Sequence, residues 1–532
     1  MVEPAQGAAR SGAAGVSTHL PPSRVQAAWA WCEDRLDLAS PRLNPLRHLG
    51  SIALLMFWVL VASGVYLYAM IDTSVDDAHA SIDRLSREQW YFGGLLRSMH
   101  RYAADVLVLT TTLHLLREWS FGRFRRFRAA SWWTGVALLP LITVSAIGGF
   151  WLNWDQLGQY SAIATAEWLD WWPLFASPFT RNFLGVASIS DRLFSLFVFV
   201  HIGVPLLMVF GIWFHVRRLA HAAVWPPRPM LWTMLLLLLG LAVVAPVLSH
   251  APADLARVPE VLAYDWILLF VHPLVTATSS TTVWLAALGL LALLLLLPFW
   301  RATPVAAPAV AEVDPAHCSG CRRCVADCPY DAIRMLPHPT RRGFALAEVD
   351  ADACASCGIC VGSCPSSTPF RSMQHLRTGI DMPQQPIDAL RRALRERLGQ
   401  ASAKGALVVF GCDHGASVRK LEHDDVAAFS LICTGMLPPS FIEYALRDGA
   451  AGVVVVTCRD GGCAFRLGQR WTAERLARER EPALRATVPT EKFACVAAGP
   501  GDILAVSEAL ARLRAQTTGE ARSQVAVEFP AR

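Results

Sequence analysis

Apolar residues in the first 300 positions of the chain gather into long runs that short polar connections separate. Six of these runs approach the length at which an apolar segment crosses a bilayer as an α-helix, ~20 residues. The runs are Ser51–Ile71, Leu95–Trp119, Trp132–Leu152, Leu193–Val216, Met230–Leu248 and Thr281–Phe299. We therefore expect about six transmembrane helices within residues 47–300. Residues 1–46 form a lead-in whose segment Trp29–Leu38 has the composition of a short interfacial helix.

The pattern changes after Trp300. A Pro/Ala-rich linker at residues 301–312 precedes a cysteine-rich segment at 313–375, and residues 401–517 alternate short β-branched runs with helical stretches. The β-branched runs are Ala406–Cys412, Val426–Cys433, Gly452–Cys458 and Phe493–Gly499, and the helical stretches are Pro439–Asp448 and Phe465–Arg480. This alternation predicts a parallel α/β sheet, followed by a tail at residues 518–532. The fold class is multi-domain, with an α-helical membrane bundle, a small α+β domain and a parallel α/β domain.

Charged residues are distributed unevenly between the connections. The basic connections carry Arg117, Arg123, Arg125, Arg126, Arg128, Arg217, Arg218, Arg228 and Arg301, whereas the alternate ones carry Asp72, Asp76, Asp77, Asp83, Asp155, Glu167, Asp170 and Asp254. Because Lys and Arg stay on the cytoplasmic side, we expect a multi-pass protein of the inner (cytoplasmic) membrane with both termini in the cytoplasm. No secretory signal stands out in residues 1–46.

The composition is unlike that of a soluble globular protein, with 54% apolar and 17% charged residues. Of the 14 cysteines, 13 follow residue 317, on the predicted cytoplasmic side. Clustered cysteines in that compartment bind metal more often than they form disulfides. Neither a dinucleotide fingerprint nor a phosphate loop stands out, and no residue set suggests hydrolysis or group transfer.

Two of the apolar runs carry histidines, which are costly within a membrane and indicate function there. His100 and His114 are 14 residues apart, as are His201 and His215. Along a helix, this spacing brings a side chain back to within about 40° of its starting direction, roughly 21 Å further along the axis. His100 then lies level with His201, and His114 with His215. Facing imidazoles hold haem iron from both sides, so we expect two b haems, one near each membrane face. Polar contacts between helices are the alternative.

Glycines repeat the same spacing in the neighbouring runs. Gly50 and Gly64 are 14 residues apart, and so are Gly135 and Gly149. Glycine destabilises a helix but lets a flat macrocycle approach the backbone closely. We expect these four positions to line the haem sites, with simple helix packing as the alternative.

The cysteine-rich segment contains the run C-x2-C-x2-C-x3-C-P twice, at Cys318–Pro329 and Cys354–Pro365. In two-cluster ferredoxins, the fourth Cys of each run ligates the other cluster. We therefore assign one [4Fe–4S] cluster to Cys318, Cys321, Cys324 and Cys364, and the second to Cys354, Cys357, Cys360 and Cys328. Zinc sites rarely use eight thiolates in this interlocked pattern. The residues between the two runs have the pattern of a hairpin.

Cysteines also end three predicted strands of the α/β domain. Cys412, Cys433 and Cys458 end strands, and Cys463 follows in the next turn. Ligands collect at the carboxyl ends of parallel strands, so these four thiols can converge on one [2Fe–2S] cluster. Free buried cysteines are the alternative, and Cys495, inside a strand, is expected in the core.

The membrane part, about residues 29–300, resembles the cytochrome b family of quinol-oxidising complexes. His114–Gly135 looks like that family's second-to-third helix connection, and Gly148–Tyr160 is similar to its Gly-Tyr-x-Leu-Pro-Trp-x-Gln segment, with Asn153 in place of Pro. Tyr264–Phe270 stands where the family has Pro-Glu-Trp-Tyr. The resemblance implies that Asp265 accepts a quinol proton. Tyr264, Trp154 and Asp155 are further candidates for an outer quinone site, with interfacial aromatics and solvated acids as the alternative.

The C-terminal part resembles the iron–sulfur delta subunit of methyl-viologen-reducing hydrogenase, an adaptor that passes electrons to the flavoprotein of heterodisulfide reductase. The matching stretches are Cys433–Gly468 and Val408–Ala416. The second stretch often carries another Cys in that family where this chain has Gly415. The resemblance implies a heterodisulfide-reductase-like flavoprotein as the cytoplasmic partner.

These features predict a membrane electron-transfer protein between a cytoplasmic redox partner and the quinone pool, with quinone as substrate and no nucleic-acid partner. A homodimer is compatible with the sequence. Electrons could flow outward to quinone, or inward from quinol with energy from the membrane potential. One alternative is a membrane anchor and docking adaptor without transmembrane electron transfer. Another is the cytochrome b subunit of a membrane hydrogenase or dehydrogenase.

Overall fold

The computed structural model describes residues 24–37, 43–173, 177–183, 189–217, 219–257, 261–300, 309–367, 376–400 and 405–518. The chain divides at residues 303 and 304 into two compact units. We call residues 23–303 the membrane unit and residues 304–532 the cysteine unit. Most of the predicted linker (301–308), most of the tail (519–532), the first 23 residues of the lead-in, and Arg218 and Arg301 lie outside the described residues.

The membrane unit is helical, and six of its helices coincide with the predicted apolar runs. In chain order its helices are α1 (Arg24–Arg35), α2 (Leu49–Met70), α3 (Ala78–Arg87), α4 (Leu95–Ser120), α5 (Ala129–Trp151), α6 (Gln156–Leu169), α7 (Asp191–Arg217), α8 (Arg228–Val244), α9 (Val271–Ala277) and α10 (Ser280–Leu296). Among the described residues, α2, α5, α7 and the segment Ser280–Phe299 are long and apolar enough to cross a membrane. The protein is an integral membrane protein.

Two other helices that match predicted runs differ from these four. Helix α4 is 26 residues long but carries Arg101, Asp105 and two histidines in its interior. Helix α8 is apolar but has only 17 residues, which at about 1.5 Å per residue is shorter than the ~30 Å hydrocarbon core.

The helices of the membrane unit pack in pairs. Helix α2 lies along α4, and α5 lies along α7. Helix α8 packs against α4, and α10 contacts α5 where the Trp132 indole donates a hydrogen bond to the Leu294 carbonyl at 2.7 Å. Large apolar side chains cover the outside of these helices, such as Phe199, Phe210 and Leu236, which suits contact with lipid acyl chains.

The first part of the cysteine unit has very short elements: β1 (Glu312–Val313), α11 (Arg323–Ala326), β2 (Ile333–Pro337), β3 (Ala345–Val349), α12 (Ile359–Ser363) and β4 (Ile380–Asp381). Strands β2 and β3 form the predicted antiparallel hairpin, with Met335 opposite Ala347. Strand β4 pairs with β1, so this part extends beyond the expected boundary at residue 375. Two-residue strands carry too few residues to show a hydrophobic period, which explains the difference.

The second part is the predicted parallel α/β domain. Its strands are β5 (Leu407–Cys412), β6 (Val426–Leu431), β7 (Gly452–Thr457) and β8 (Phe493–Ala497), in the order β6-β5-β7-β8, and all pairings are parallel. Helices α13 (Ile387–Gly399), α14 (Ser440–Arg447), α15 (Gly468–Leu476) and α16 (Ile503–Thr518) accompany them. The central strands are fully buried. The expectation of a core position for Cys495 is wrong, because β8 is an edge strand and this side chain is exposed.

Candidate functional site

The structure brings the rings of His100 on α4 and His201 on α7 together, tilted by 60° to each other. Their ring centroids are 6.3 Å apart. Two metal–nitrogen bonds of about 2 Å each, laid end to end between two imidazoles, place the ring centroids roughly 6 Å apart. The separation of this pair therefore fits one metal ion held between the rings.

Hydrogen bonds fix which imidazole nitrogen faces the space between the rings. His201 Nδ1 lies 2.9 Å from the Ser145 carbonyl, which only accepts. His100 Nδ1 lies 2.9 Å from the Ser63 hydroxyl, whose own proton goes to the Val59 carbonyl. Each ring must therefore donate from Nδ1, which leaves the Nε2 lone pair for iron.

His114 and His215, the second predicted pair, lie at the other end of α4 and α7, and His215 repeats the hydrogen-bond pattern of the first pair. His215 Nδ1 lies 3.1 Å from the Thr134 hydroxyl, which itself donates to the Ala130 carbonyl at 3.0 Å. His215 therefore also donates from Nδ1 and keeps Nε2 available. The donor set of both pairs fits b haem, which these four histidines would hold.

Each of the four predicted glycines lies against one of these rings. A Cβ atom would approach the ring Cε1 to 3.3 Å at Gly50 (His114), 3.2 Å at Gly64 (His100), 3.0 Å at Gly135 (His215) and 3.0 Å at Gly149 (His201). Such distances are tighter than ordinary van der Waals contact. We expected the glycines to make room for a macrocycle, and the structure adds that they make room for the histidine rings.

A buried network of charges lies next to the His114–His215 end. Glu33 of α1 is 2% exposed and accepts from Arg117 at 2.9 Å, three residues after His114. Arg47 also approaches Glu33, at 3.4 Å, and Glu118 lies 3.3 Å from Arg123. The lead-in helix is thus fastened to α4. The sequence carried no signal for this contact, because Glu33 and Arg117 are 84 residues apart.

The cysteine unit contains two cavities lined by the two predicted sets of ligands. The first is lined by Cys318, Cys321, Cys324 and Cys364, with Met335 and Ala347 of the β2–β3 hairpin at its side. The second is lined by Cys328, Cys354, Cys357 and Cys360, with Ile359 and Met382 at its side. In each cavity, three thiols from one run meet the fourth thiol of the other run, so the donors fit two interlocked [4Fe–4S] clusters.

Burial distinguishes the two cavities. Cys321 of the first is exposed, whereas Cys328, Cys357 and Cys360 of the second are buried. Burial raises the pKa of the Cys357 thiol to about 12 and that of Cys324 likewise to about 12. Thiols of this kind must lose their protons when they bind iron, so cluster assembly releases protons here.

The four cysteines of the α/β domain converge at the carboxyl ends of β5, β6 and β7. The Cys458 thiol donates to Cys412 at 3.3 Å. A Cβ at Gly468 would collide with Cys433 Sγ and would lie 3.8 Å from Cys463 Sγ. Hydrogen bonds from Cys433 and Cys458 hold the pKa of Cys412 well below its ordinary value, and a bond from Cys458 lowers the pKa of Cys463 to about 7. Two of the four sulfurs are thus stabilised as thiolates, the form that binds iron.

Gly415 occupies the position where the resembled family often has another cysteine. A Cβ at this position would lie 2.9 Å from the Ala498 carbonyl oxygen and 3.4 Å from that of Thr457. The backbone around Gly415 therefore leaves no room for a side chain, and the thiol of this stretch is that of Cys412.

Asp265, the predicted proton acceptor, lies near the His100–His201 end. Its carboxylate pairs with Arg101, the residue after His100, and accepts the backbone N–H groups of Ile267 at 3.1 Å and Leu268 at 2.8 Å. Arg101 also pairs with Asp105 at 2.7 Å. The carboxylate of Asp265 is therefore engaged by one cation and two N–H donors.

Two of the other three candidates of the outer end, Trp154 and Asp155, have structural partners. Asp155 caps α6 by accepting the Gly158 N–H at 2.9 Å, and it also accepts the His250 N–H at 3.0 Å. Trp154 packs against Phe194. Asp155 is buried, so the alternative of a solvated acid does not describe it either.

Sequence reasoning missed His272 on α9. This side chain is 1% exposed, and its Nε2 lies 3.1 Å from the Ser161 hydroxyl. Its Nδ1 is buried without a hydrogen-bond partner among the described residues. Tyr160 lies edge-on to the His272 ring at 6.1 Å and to the Tyr264 ring at 5.9 Å. A histidine in the apolar stretch after Asp265 was itself the signal that could have found it.

Comparison with known proteins assigns the three parts of the chain. Residues 36–223 match the family model of cytochrome b/b6/petB, residues 317–368 match the 4Fe-4S dicluster domain, and residues 409–517 match the delta subunit of methyl-viologen-reducing hydrogenase. The predicted resemblances are confirmed, in the predicted order.

Among solved structures, a chain described as "Hyperthermophilic respiratory Complex III" aligns at 21% sequence identity and a TM-score of 0.39. The alignment covers 48% of this chain and 76% of that one. The three family matches fit a membrane electron-transfer protein that carries haem b and iron–sulfur clusters.

Proposed function

We propose that this protein relays electrons between a cytoplasmic redox partner and the quinone pool. One observation carries the proposal: a single chain pairs imidazoles between α4 and α7 of its membrane unit and gathers three groups of thiols in its cysteine unit. When bound, haem and iron–sulfur groups supply one-electron transfer. The remaining chemistry belongs to the side chains that hold them.

The proposal includes a specific set of groups. Two b haems are held by His100 with His201 and by His114 with His215, next to Gly64, Gly149, Gly50 and Gly135. Two [4Fe–4S] clusters occupy the two cysteine-lined cavities. One [2Fe–2S] cluster is held by Cys412, Cys433, Cys458 and Cys463. A haem held by two histidines would supply electron transfer and not oxygen chemistry.

The orientation follows from charge. Arg117, Arg123 and Arg128 surround the His114–His215 end, whereas Asp72 and Asp83 lie in a connection at the other end. Basic connections face the cytoplasm, so the His114–His215 site is the inner one and the cysteine unit is cytoplasmic. We therefore expect a reporter that is active only in the cytoplasm to be active when it is fused after residue 532, and a reporter that is active only outside the cytoplasm to be inactive there.

The partner follows from the C-terminal match. The matched family is a subunit of a hydrogenase that reduces methyl viologen, an electron carrier, so its members work within a redox complex. We propose a flavoprotein of the heterodisulfide-reductase type as the partner here, because this chain has no dinucleotide fingerprint of its own. Cross-linking of the intact protein in cells, followed by mass spectrometry, tests this assignment.

A quinone site requires a protonatable group beside an apolar slot. Asp265 and His272 are two such groups near the His100–His201 end, linked through the rings of Tyr264 and Tyr160. Both oxygens of Asp265 are engaged, whereas His272 keeps one nitrogen unpaired within the described residues. His272→Leu should therefore slow haem reduction by quinol more than Asp265→Asn does, with dithionite reduction unchanged in both.

A visible difference spectrum of the purified protein tests the function as a whole. Dithionite is expected to give a b-type haem signal, and a quinol analogue is expected to produce part of it. His114→Leu should abolish electron exchange between quinol and the cysteine unit, whereas Leu113→Ala, next to it on α4 and exposed, should not. Absence of a haem signal with dithionite would favour the membrane-anchor alternative. Absence of any haem reduction by quinol would show that the haems do not exchange electrons with the quinone pool.

A further inference from the structure

The two parts of the cysteine unit meet through an interface of small residues. Helix α12, which follows Cys357, packs on the turn Thr434–Met436. Its residue Ile359 also lies beside Gly468, the first residue of α15. A Cβ at Gly362 would collide with the Gly435 carbonyl, and a Cβ at Gly435 would lie 2.8 Å from Ile359 Cγ1. Glycine at these positions lets the backbones of the two parts approach closely.

This interface places Cys433 beside the second cavity. Three side-chain atoms surround the position that a Cβ at Gly468 would take: Cys433 Sγ, Ile359 Cδ1 at 3.5 Å and Cys463 Sγ at 3.8 Å. Ile359 is fully buried and also lines the second cavity together with Cys357 and Cys360. One isoleucine thus lines the second cavity and also lies beside the glycine that Cys433 and Cys463 flank.

A buried ion pair holds this contact in place. Asp327, next to Cys328 of the second cavity, is paired with Arg475 and Arg480, both from the α/β domain, at 2.5 Å each. The Arg475 side chain is 1% exposed, and its other nitrogen donates to the Gly435 carbonyl at 2.8 Å. The same guanidinium therefore fastens the turn after Cys433 to the loop that carries Cys328.

The first cavity differs at its edge. The Cys321 thiol that lines it is exposed. Exposed thiolate ligands suit exchange with an outside partner or carrier, whereas the buried contact of the second cavity suits exchange inside the unit.

We propose that the cysteine group of the α/β domain exchanges electrons directly with the group at Cys328, Cys354, Cys357 and Cys360, and that Arg475 is the positioning residue for this contact. The transfer moves one electron between the two groups and breaks no covalent bond. The identity of the bound clusters rests on the proposed function. The route itself rests on the Ile359, Gly468 and Cys433 contact.

Electron paramagnetic resonance of the reduced full-length protein tests the route without quinone or partner. A paramagnetic [4Fe–4S] cluster nearby accelerates the relaxation of a reduced [2Fe–2S] cluster. Cys357→Ser should lower the microwave power needed to saturate the [2Fe–2S] signal several-fold, and Cys321→Ser should leave it unchanged. An equal effect of both variants, a larger effect of Cys321→Ser, or no [2Fe–2S] signal in the wild type would overturn the proposal.

A second pair of variants tests Arg475. Arg475→Met should preserve iron content but slow the relaxation of the [2Fe–2S] signal, and Arg475→Lys should restore part of it. Arg470→Met is the matched control, because Arg470 lies on the same helix, is exposed and pairs only locally with Glu474. Unchanged relaxation in Arg475→Met, or loss of iron in that variant and in Arg475→Lys alike, would remove the positioning role. Normal relaxation behaviour without haem reduction by quinol would instead reject the proposed function and leave this route intact.

Discussion

The two units of the protein hold their candidate ligands in different ways. In the membrane unit, the histidines lie within helices α4 and α7, of 26 and 27 residues. In the cysteine unit, the eight thiols of the two cavities lie on loops or on helices of four and five residues. A long helix fixes the direction of a side chain by its own backbone geometry. The conformation of a loop, in contrast, depends on the group that the loop surrounds.

The difference implies different consequences when the bound group is absent. Apolar helices in a membrane satisfy their backbone hydrogen bonds internally, so they persist without haem. Helices of one turn are not stable alone, because nucleation is costly and few hydrogen bonds are gained. The cysteine loops should therefore depend on their clusters for order, and the histidine helices should not depend on haem.

Removal of iron should produce the largest difference between the two units. Treatment with a chelator under reducing conditions is expected to make residues 313–381 sensitive to limited proteolysis, because cluster binding supplies much of the folding free energy of small cysteine domains. The helical circular dichroism of the membrane unit should be retained. Full protection of residues 313–381 after loss of iron would show that this part folds without its clusters.

Loss of one histidine should be more local. His215→Leu is expected to halve the haem content per chain, from two to one, because the pair at His100 and His201 has its own hydrogen bonds and its own glycines. The pyridine haemochrome assay measures the haem per chain. Phe214→Leu, at the neighbouring exposed position on α7, is the control and should keep both haems. Loss of both haems from His215→Leu would mean that the two sites are not independent.

The elements predicted from sequence are those with a regular period. The apolar runs, the 14-residue spacing and the β-branched strands each repeat a local geometry that the backbone imposes, so α2, α7 and β5 to β8 follow the sequence closely. Helix α13 also had such a signal, with Ile387, Leu390, Leu394 and Leu398 buried on one face, although it was not predicted.

Contacts between distant residues had no such signal. Asp327 and Arg475 are 148 residues apart, and Ser161 and His272 are 111 apart. Single polar residues in loops and helices give no period, and only the tertiary fold shows which of them meet. The ion pair of Arg101 with Asp265 is another contact between residues far apart in the sequence. A motif resemblance alone therefore could not predict the partners of the Asp265 carboxylate.

Glycine variants test whether close contact with glycine positions the histidine rings of the membrane unit. A Cβ at Gly149 would lie 3.0 Å from the His201 ring, and one at Gly50 would lie 3.3 Å from the His114 ring. Gly149→Ala should therefore displace its ring by more than Gly50→Ala does and should shift the low-spin haem signal further. Gly203→Ala on α7, where a Cβ would meet no atom within 4 Å, is the control. Equal shifts in all three variants would contradict a role of ring contact.

The smallest expected effect concerns a charge in the cysteine unit away from the thiols. Burial raises the pKa of Asp381 on β4 to about 6, although it accepts the backbone N–H groups of Met382 and Ile387. Between the ordinary pKa, about 4, and this raised value, the folded state binds more protons than the unfolded state, so unfolding free energy falls as pH rises. Asp381→Asn cannot ionise and keeps an oxygen for both N–H donors.

Asp381→Asn should therefore raise the unfolding temperature of the cysteine unit by a few degrees at pH 8, and about half of this gain should be lost at pH 5, midway between the folded and unfolded pKa values. The matched control is Asp350→Asn, an exposed aspartate that also accepts two backbone N–H groups. The membrane unit should unfold at the same temperature in both variants, because neither substitution lies in it. A gain that is equal at pH 5 and pH 8 would show that the carboxylate is already ionised at the lower pH, so that burial at β4 costs the charged form little.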